Sequence, residues 1–65
     1  MRLGIHIGGT HTDGALINNQ QIIKTTKLTT NNNNLSSTIL NTCKQLLKKQ
    51  EPQNIKQVTL STTLA

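Results

Sequence analysis

Leu3-Gly4-Ile5-His6-Ile7-Gly8-Gly9-Thr10-His11-Thr12-Asp13 is the stretch from which the fold is read. Leu3, Ile5 and Ile7 alternate with Arg2, Gly4 and His6, a period of two that predicts a strand with one aliphatic face. Gly8-Gly9 breaks the alternation with two residues that tolerate positive φ. A second strand is expected across Gly14-Ala15-Leu16-Ile17, and Asn18-Asn19 supplies a tight turn. A third strand runs from Gln21 to Leu28, through Ile22, Ile23 and the β-branched Thr25 and Thr26. Together the three segments predict an antiparallel meander.

Beyond it the period changes. Leu35, Ile39, Cys43, Leu46 and Leu47 fall at helical spacing and form one apolar stripe. Asn31-Asn32-Asn33-Asn34 precedes it and reads either as low complexity or as a loop and cap, because an Asn side chain accepts from the first free helix N–H groups. Pro52 is expected to end the helix, with Gln53 and Asn54 as linker. Ile55 to Leu60 predicts a fourth strand, with Val58 and Leu60 facing one way. The order is strand, strand, strand, helix, strand, with no internal repeat.

Outward from these elements, composition bounds the function. Sixty-five residues allow one small domain, and with no Trp, Tyr or Phe its core must be aliphatic. Cys43 is alone, which excludes an intramolecular disulfide framework and a Cys-based zinc knuckle. No apolar run approaches the ~20 residues of a membrane span, and Met1-Arg2-Leu3-Gly4 lacks a secretory core, so a cytoplasmic location is expected. The net charge of +5 does not indicate a nucleic-acid partner. Arg2 is the sole arginine, no aromatic can stack on a base, and Lys44, Lys48 and Lys49 sit where they complement the end of a helix dipole.

Chemistry concentrates at Gly8-Gly9-Thr10-His11-Thr12-Asp13. Paired glycines let backbone N–H groups approach an anion, and hydroxyls at Thr10 and Thr12 add donors. Asp13 is placed to hold a hydrated cation or to orient a water. The alternative is an ordinary hairpin loop. No Lys follows the glycines as in a Walker loop, and the G-x-G-x-x-G spacing is absent. His6 and His11 flank the turn without a clear third metal ligand. Cys43 lies on the apolar stripe, where a free thiol behaves as a small hydrophobe.

These residues carry a resemblance. Leu3 to Asp13 resembles the opening of the hydantoinase/oxoprolinase family, written G-I-D-x-G-G-T-x-T-D. The likeness continues through Ala15-Leu16-Ile17 and Lys27-Leu28-Thr29-Thr30, and ends at Val58-Thr59-Leu60-Ser61-Thr62-Thr63-Leu64-Ala65, similar to a strand closing in G-T-T-x-A. The resemblance implies an α+β, ribonuclease-H-like half-domain of the actin-like ATPases, β-β-β-α-β, with the fourth strand parallel to the first. It implies an ATP-dependent parent enzyme acting on cyclic amides of the hydantoin or 5-oxoproline type. Gly8, Gly9 and Thr10 match the phosphate-contacting turn, Thr12 and Asp13 the Thr-Asp pair beside it, and Thr62 and Thr63 the Thr-Thr pair after the fourth strand. ATP or ADP with Mg²⁺ would be the cofactor.

Two positions depart from the pattern. His6 stands where the family carries an aspartate associated with the nucleotide's metal ion, and hard Mg²⁺ prefers oxygen, so no metal ligand is assigned there. Gly14 replaces a small or apolar residue and is expected to loosen its strand. The residues 1–65 are expected to be one partial domain of a longer protein, inactive alone. Its partners would be the remainder of that protein, another subunit or a second copy. The competing reading is a non-catalytic assembly module of the same fold with a degenerate nucleotide site.

Overall fold

The structure, a computed structural model, describes residues 1–63; Leu64 and Ala65, which close the family motif, lie outside the described residues. Four strands, β1 (Arg2–Gly8), β2 (His11–Asn18), β3 (Gln21–Thr29) and β4 (Gln57–Thr63), form one sheet in the order β3-β2-β1-β4. The meander β1-β2-β3 is antiparallel throughout, and β4 lies parallel beside β1. One helix, α1 (Leu35–Leu46), crosses between β3 and β4. The architecture is the expected β-β-β-α-β. Among the described residues, no helix is long and apolar enough to cross a membrane.

Alternation on β1 does what its period demands: Leu3, Ile5 and Ile7 are buried under the helix side, while Arg2 and His6 are exposed. Across the register Thr12, Gly14 and Leu16 share that inner face. Leu3, Leu16 and Leu46 form the packed centre, flanked by Met1, Cys43, Leu47 and Ile55. The opposite face of the sheet has no covering layer among the described residues.

The helix is capped as expected. The Asn34 side chain accepts from the Ser37 amide at 3.1 Å, satisfying one of the free donors of the first turn. The Asn tract is shaped by its own side chains, since the Asn31 carboxamide oxygen accepts from the Asn33 amide. The stripe presented to the sheet keeps Leu46 from the expected set, with Cys43 and Leu47 packed beside it, and adds two threonines. Thr38, Thr42 and Leu46 are buried, whereas Leu35, Ile39, Cys43 and Leu47 flank them half-buried. Threonine is tolerated at this contact because its hydroxyls are matched. Thr42 donates to the Thr38 carbonyl at 2.8 Å, and the Thr38 hydroxyl accepts from the Asn31 amide at 2.9 Å.

Gly14 explains the rotation. A Cβ there would lie 2.7 Å from Thr42 Cγ2, 2.8 Å from Leu46 Cδ1 and 2.9 Å from Thr26 Oγ1. The missing side chain is the space into which the helix settles, so Gly14 joins the two layers rather than loosening its strand.

Other boundaries also differ from expectation. The β2–β3 turn is Asn19-Gln20, one residue later than Asn18-Asn19, and both have positive φ (51° and 68°), as a two-residue hairpin with right-handed twist requires. A bulge between Leu16 and Ile17 leaves Ile22 and Ile23 exposed. The helix ends at Leu46, not at Pro52; Lys49 reverses the chain at φ 70°, and Pro52 opens a short 3-10 helix, Pro52–Asn54. The fourth strand is Gln57–Thr63 rather than 55–60, because it pairs residue for residue with Arg2–Gly8. Thr62 and Thr63 are thus inside β4, not beyond it. No described glycine has positive φ, so Gly8-Gly9 serves the turn by another means.

Candidate functional site

The β1–β2 connection passes through Gly9 and Thr10, between Gly8 and His11. Gly8 is required sterically: a Cβ on it would meet the His11 carbonyl oxygen at 2.9 Å. Gly9 differs, with nothing within 4 Å of an added Cβ, so its backbone is open to approach from outside.

All three carbonyls along the turn are taken by the segment that follows β3. The Thr30 hydroxyl donates to the Gly8 carbonyl at 2.8 Å, the Asn32 carboxamide donates to the Gly9 carbonyl at 3.0 Å, and the Thr30 amide donates to the Thr10 carbonyl at 2.9 Å. The amides of Gly9 and Thr10 have no hydrogen-bond partner among the described residues. Among the described residues the acceptors are consumed and the two amide donors are unpaired, a polarity compatible with an anion.

Proton accounting then assigns Thr12. The Thr30 hydroxyl has one proton and gives it to Gly8, so the 2.8 Å contact between the Thr12 and Thr30 hydroxyls must be donated by Thr12. Thr12 is fully buried on the helix side of the sheet. Its hydroxyl braces the turn from beneath, whereas the Thr10 hydroxyl is exposed and lies 3.2 Å from His11 Nδ1.

The outer face carries the remaining polar groups. His6 is opposite Asp13 across β1–β2 and opposite Ser61 across β1–β4. Its Nδ1 is 3.0 Å from the Ser61 hydroxyl, and its Nε2 is 2.6 Å from the Thr63 hydroxyl. Both ring nitrogens are therefore occupied. Thr63 pairs with Gly8 and lies on the outer face, next to the turn, while Thr62 pairs with Ile7 and takes the helix side. The Thr-Thr pair is divided between two faces. Asp13 is exposed and 4.0 Å from Lys27 Nζ, a contact of little energetic weight. A shallow groove of about 630 Å³ runs along this face past Gly4, His6, Asp13, Ala15, Lys27 and Ser61.

A family model, the hydantoinase/oxoprolinase N-terminal region, matches residues 2–65. The chain belongs to the hydantoinase/oxoprolinase family. No curated protein and no solved structure matches it. Within the family's N-terminal region, the structure brings Gly8, Gly9, Thr10, Asp13, His6 and Thr63 to one end of the sheet.

A Mg²⁺ ion fits these residues poorly. Among the described residues Asp13 is the one carboxylate at the turn, both His6 nitrogens are engaged, and no group of three or more His, Cys, Asp or Glu could bind a metal. Cys43 is remote from the turn, and partial burial raises its thiol pKa above the ordinary value of 9.0, which disfavours the reactive thiolate.

Thr30, Asn32 and Ser61 were not among the expected site residues. Thr30 and Asn32 lie 22 and 23 residues from the carbonyls they bind. Only the strand register makes those contacts visible.

Proposed function

We propose that this chain supplies the phosphate-receiving turn of an ATP-dependent hydantoinase/oxoprolinase-like enzyme acting on cyclic amides of the hydantoin or 5-oxoproline type. The observation that carries the reading is the polarity of Gly8-Gly9-Thr10, whose carbonyls are bonded to Thr30 and Asn32 while the amides of Gly9 and Thr10 have no partner among the described residues. Those amides and the Thr10 hydroxyl receive phosphate oxygens and screen their charge, and open space at Gly9 admits the ligand. Thr63, next to Gly8, is the nearest hydroxyl of β4 to that position, and Thr62 on the other face is assigned no contact. ATP, when bound, supplies the phosphoryl group that activates an amide oxygen. Asp13 is placed on the groove side, where it orients a water or a hydrated cation. No step is assigned to a protein-bound Mg²⁺.

Calorimetric titration of the chain with ADP tests this reading. Saturable binding is expected, and it is expected to be lost in Gly9→Val, whose side chain fills the approach without touching the packed layers. Equal binding by the two proteins would overturn the assignment of the turn.

The second reading, an assembly module, is supported by β4. Val58 and Leu60 lie on the same side as buried Leu3 and Ile5, yet remain 53% and 52% exposed because α1 sits over β2 and β3. This reading makes the chain self-associate through that uncovered edge. Light scattering at high concentration decides it, since a strictly monomeric mass excludes it.

A further inference from the structure

Thr30 and Asn32 belong to no regular element, yet they contact every residue of the β1–β2 turn from Gly8 to Thr10. Thr30 is 6% exposed and bonds the turn at both ends, through its amide to Thr10 and its hydroxyl to Gly8. The same hydroxyl accepts from Thr12, so one side chain links β1, β2 and the entry to α1. Asn32 completes the set at the Gly9 carbonyl. The other hairpin turn of the sheet, Asn19-Gln20, has no side-chain bond among the described residues and closes on positive φ alone. A connection of this length therefore closes without external bonds. Gly8-Gly9-Thr10 has no positive φ, and three contacts from Thr30 and Asn32 set its backbone instead.

We propose that Thr30 and Asn32 are positioning residues for the anion-binding turn. By occupying its carbonyls they fix the peptide planes of Gly9 and Thr10 so that both amides point toward an incoming phosphate. The proposal rests on the phosphate reading of the turn for its ligand, but not for its geometry. Each peptide plane carries a carbonyl on one side and an amide on the other, so tying the first orients the second. Glycine leaves this turn many backbone states, and with neither positive φ nor a Cβ at Gly9 to select one, the selection falls to Thr30 and Asn32.

The test compares wild type with Thr30→Val, Thr30→Ser and Asn32→Ala in the full chain. Backbone order parameters are measured at Gly9 and Thr10, and the inorganic phosphate affinity of each protein is read from amide shifts. Loss of the Thr30 hydroxyl in the isosteric valine variant is expected to lower the order parameters at Gly9 and Thr10 and to weaken phosphate about tenfold. Signals from β3 and α1 should be unchanged. Serine, which keeps the hydroxyl, should restore both quantities. Should the valine variant fail to fold, the exposed Asn32→Ala variant is expected to show the same loosening confined to Gly9 and Thr10. Unchanged order and affinity in the folded variants would overturn the proposal. If wild type binds no phosphate, the phosphate reading fails. Positioning is then judged by the order parameters alone: loosening in Thr30→Val with rescue by Thr30→Ser supports it, and their absence overturns it.

Discussion

The two ends of β2 carry two short turns that solve the same problem by different means. Asn19-Gln20 reverses the chain with two left-handed residues and has no side-chain hydrogen bond among the described residues. Gly8-Gly9-Thr10 uses no left-handed residue and is held from outside by Thr30 and Asn32, with Thr12 bracing Thr30 from below. The first turn is sufficient for a hairpin. The second carries additional hydrogen bonding to its three carbonyls, which the first lacks among the described residues. Local conformational preference closes one end of the sheet, and tertiary hydrogen bonding shapes the other.

That contrast can be broken most forcefully from between the two turns. Gly14→Ala places a Cβ within 2.9 Å of three atoms of α1 and β3, and overpacking of this kind should cost about 1–3 kcal/mol in chemical denaturation. The loss should spread over both ends of β2, since α1 presses on its middle. Gly8→Ala is smaller and local. One backbone oxygen at 2.9 Å must give way, for about 1–2 kcal/mol, and the spectral changes should stay at the functional turn. At the other end the sign reverses. Gln20→Gly removes a positive-φ side chain and should raise stability by about 0.5–1 kcal/mol, leaving ligand binding untouched.

The smallest effect is expected at Cys43, away from both turns. Its thiol pKa is raised by burial, so the folded state disfavours the thiolate relative to the unfolded chain. Its stabilising contribution is therefore complete below pH 9 and declines as pH rises through the folded value. A slight fall in denaturation midpoint on raising the pH from 8.5 to 10.5, absent in Cys43→Ala, would register it. Equal alkaline sensitivity in the two proteins would remove burial of the thiol as its cause.

Much of the fold was legible in the chain because β1 states its period without ambiguity and Asn34 sits where a cap is needed. The face of α1 was legible only in part, through Leu46, Cys43 and Leu47. Thr38 and Thr42 count as polar in any apolar stripe, and only their bonds to Asn31 and to the helix backbone make them fit to face the sheet. Ile22 and Ile23 read as strand residues, but their exposure beside a bulge is announced by no local pattern. The ends of β4 follow from pairing with β1, so alternation at Val58 and Leu60 identified a face but not a length. At the site, Gly8, Gly9 and Thr10 stand out because glycine pairs punctuate a strand pattern. Thr30 and Asn32 do not, since their partners are distant in sequence and a threonine before an asparagine run resembles any loop.

On the proposed reading, the two turns differ in what they present to a ligand. It is tested most directly by an amide ¹H–¹⁵N spectrum of the chain titrated with ADP, with Asn19 and Gln20 as the internal control. Saturable shifts are expected to concentrate at Gly9 and Thr10 and to fall off through Gly8 and Asp13, while Asn19 and Gln20 stay fixed. Shifts of equal size at both turns, or shifts confined to Lys44, Lys48 and Lys49, would contradict it.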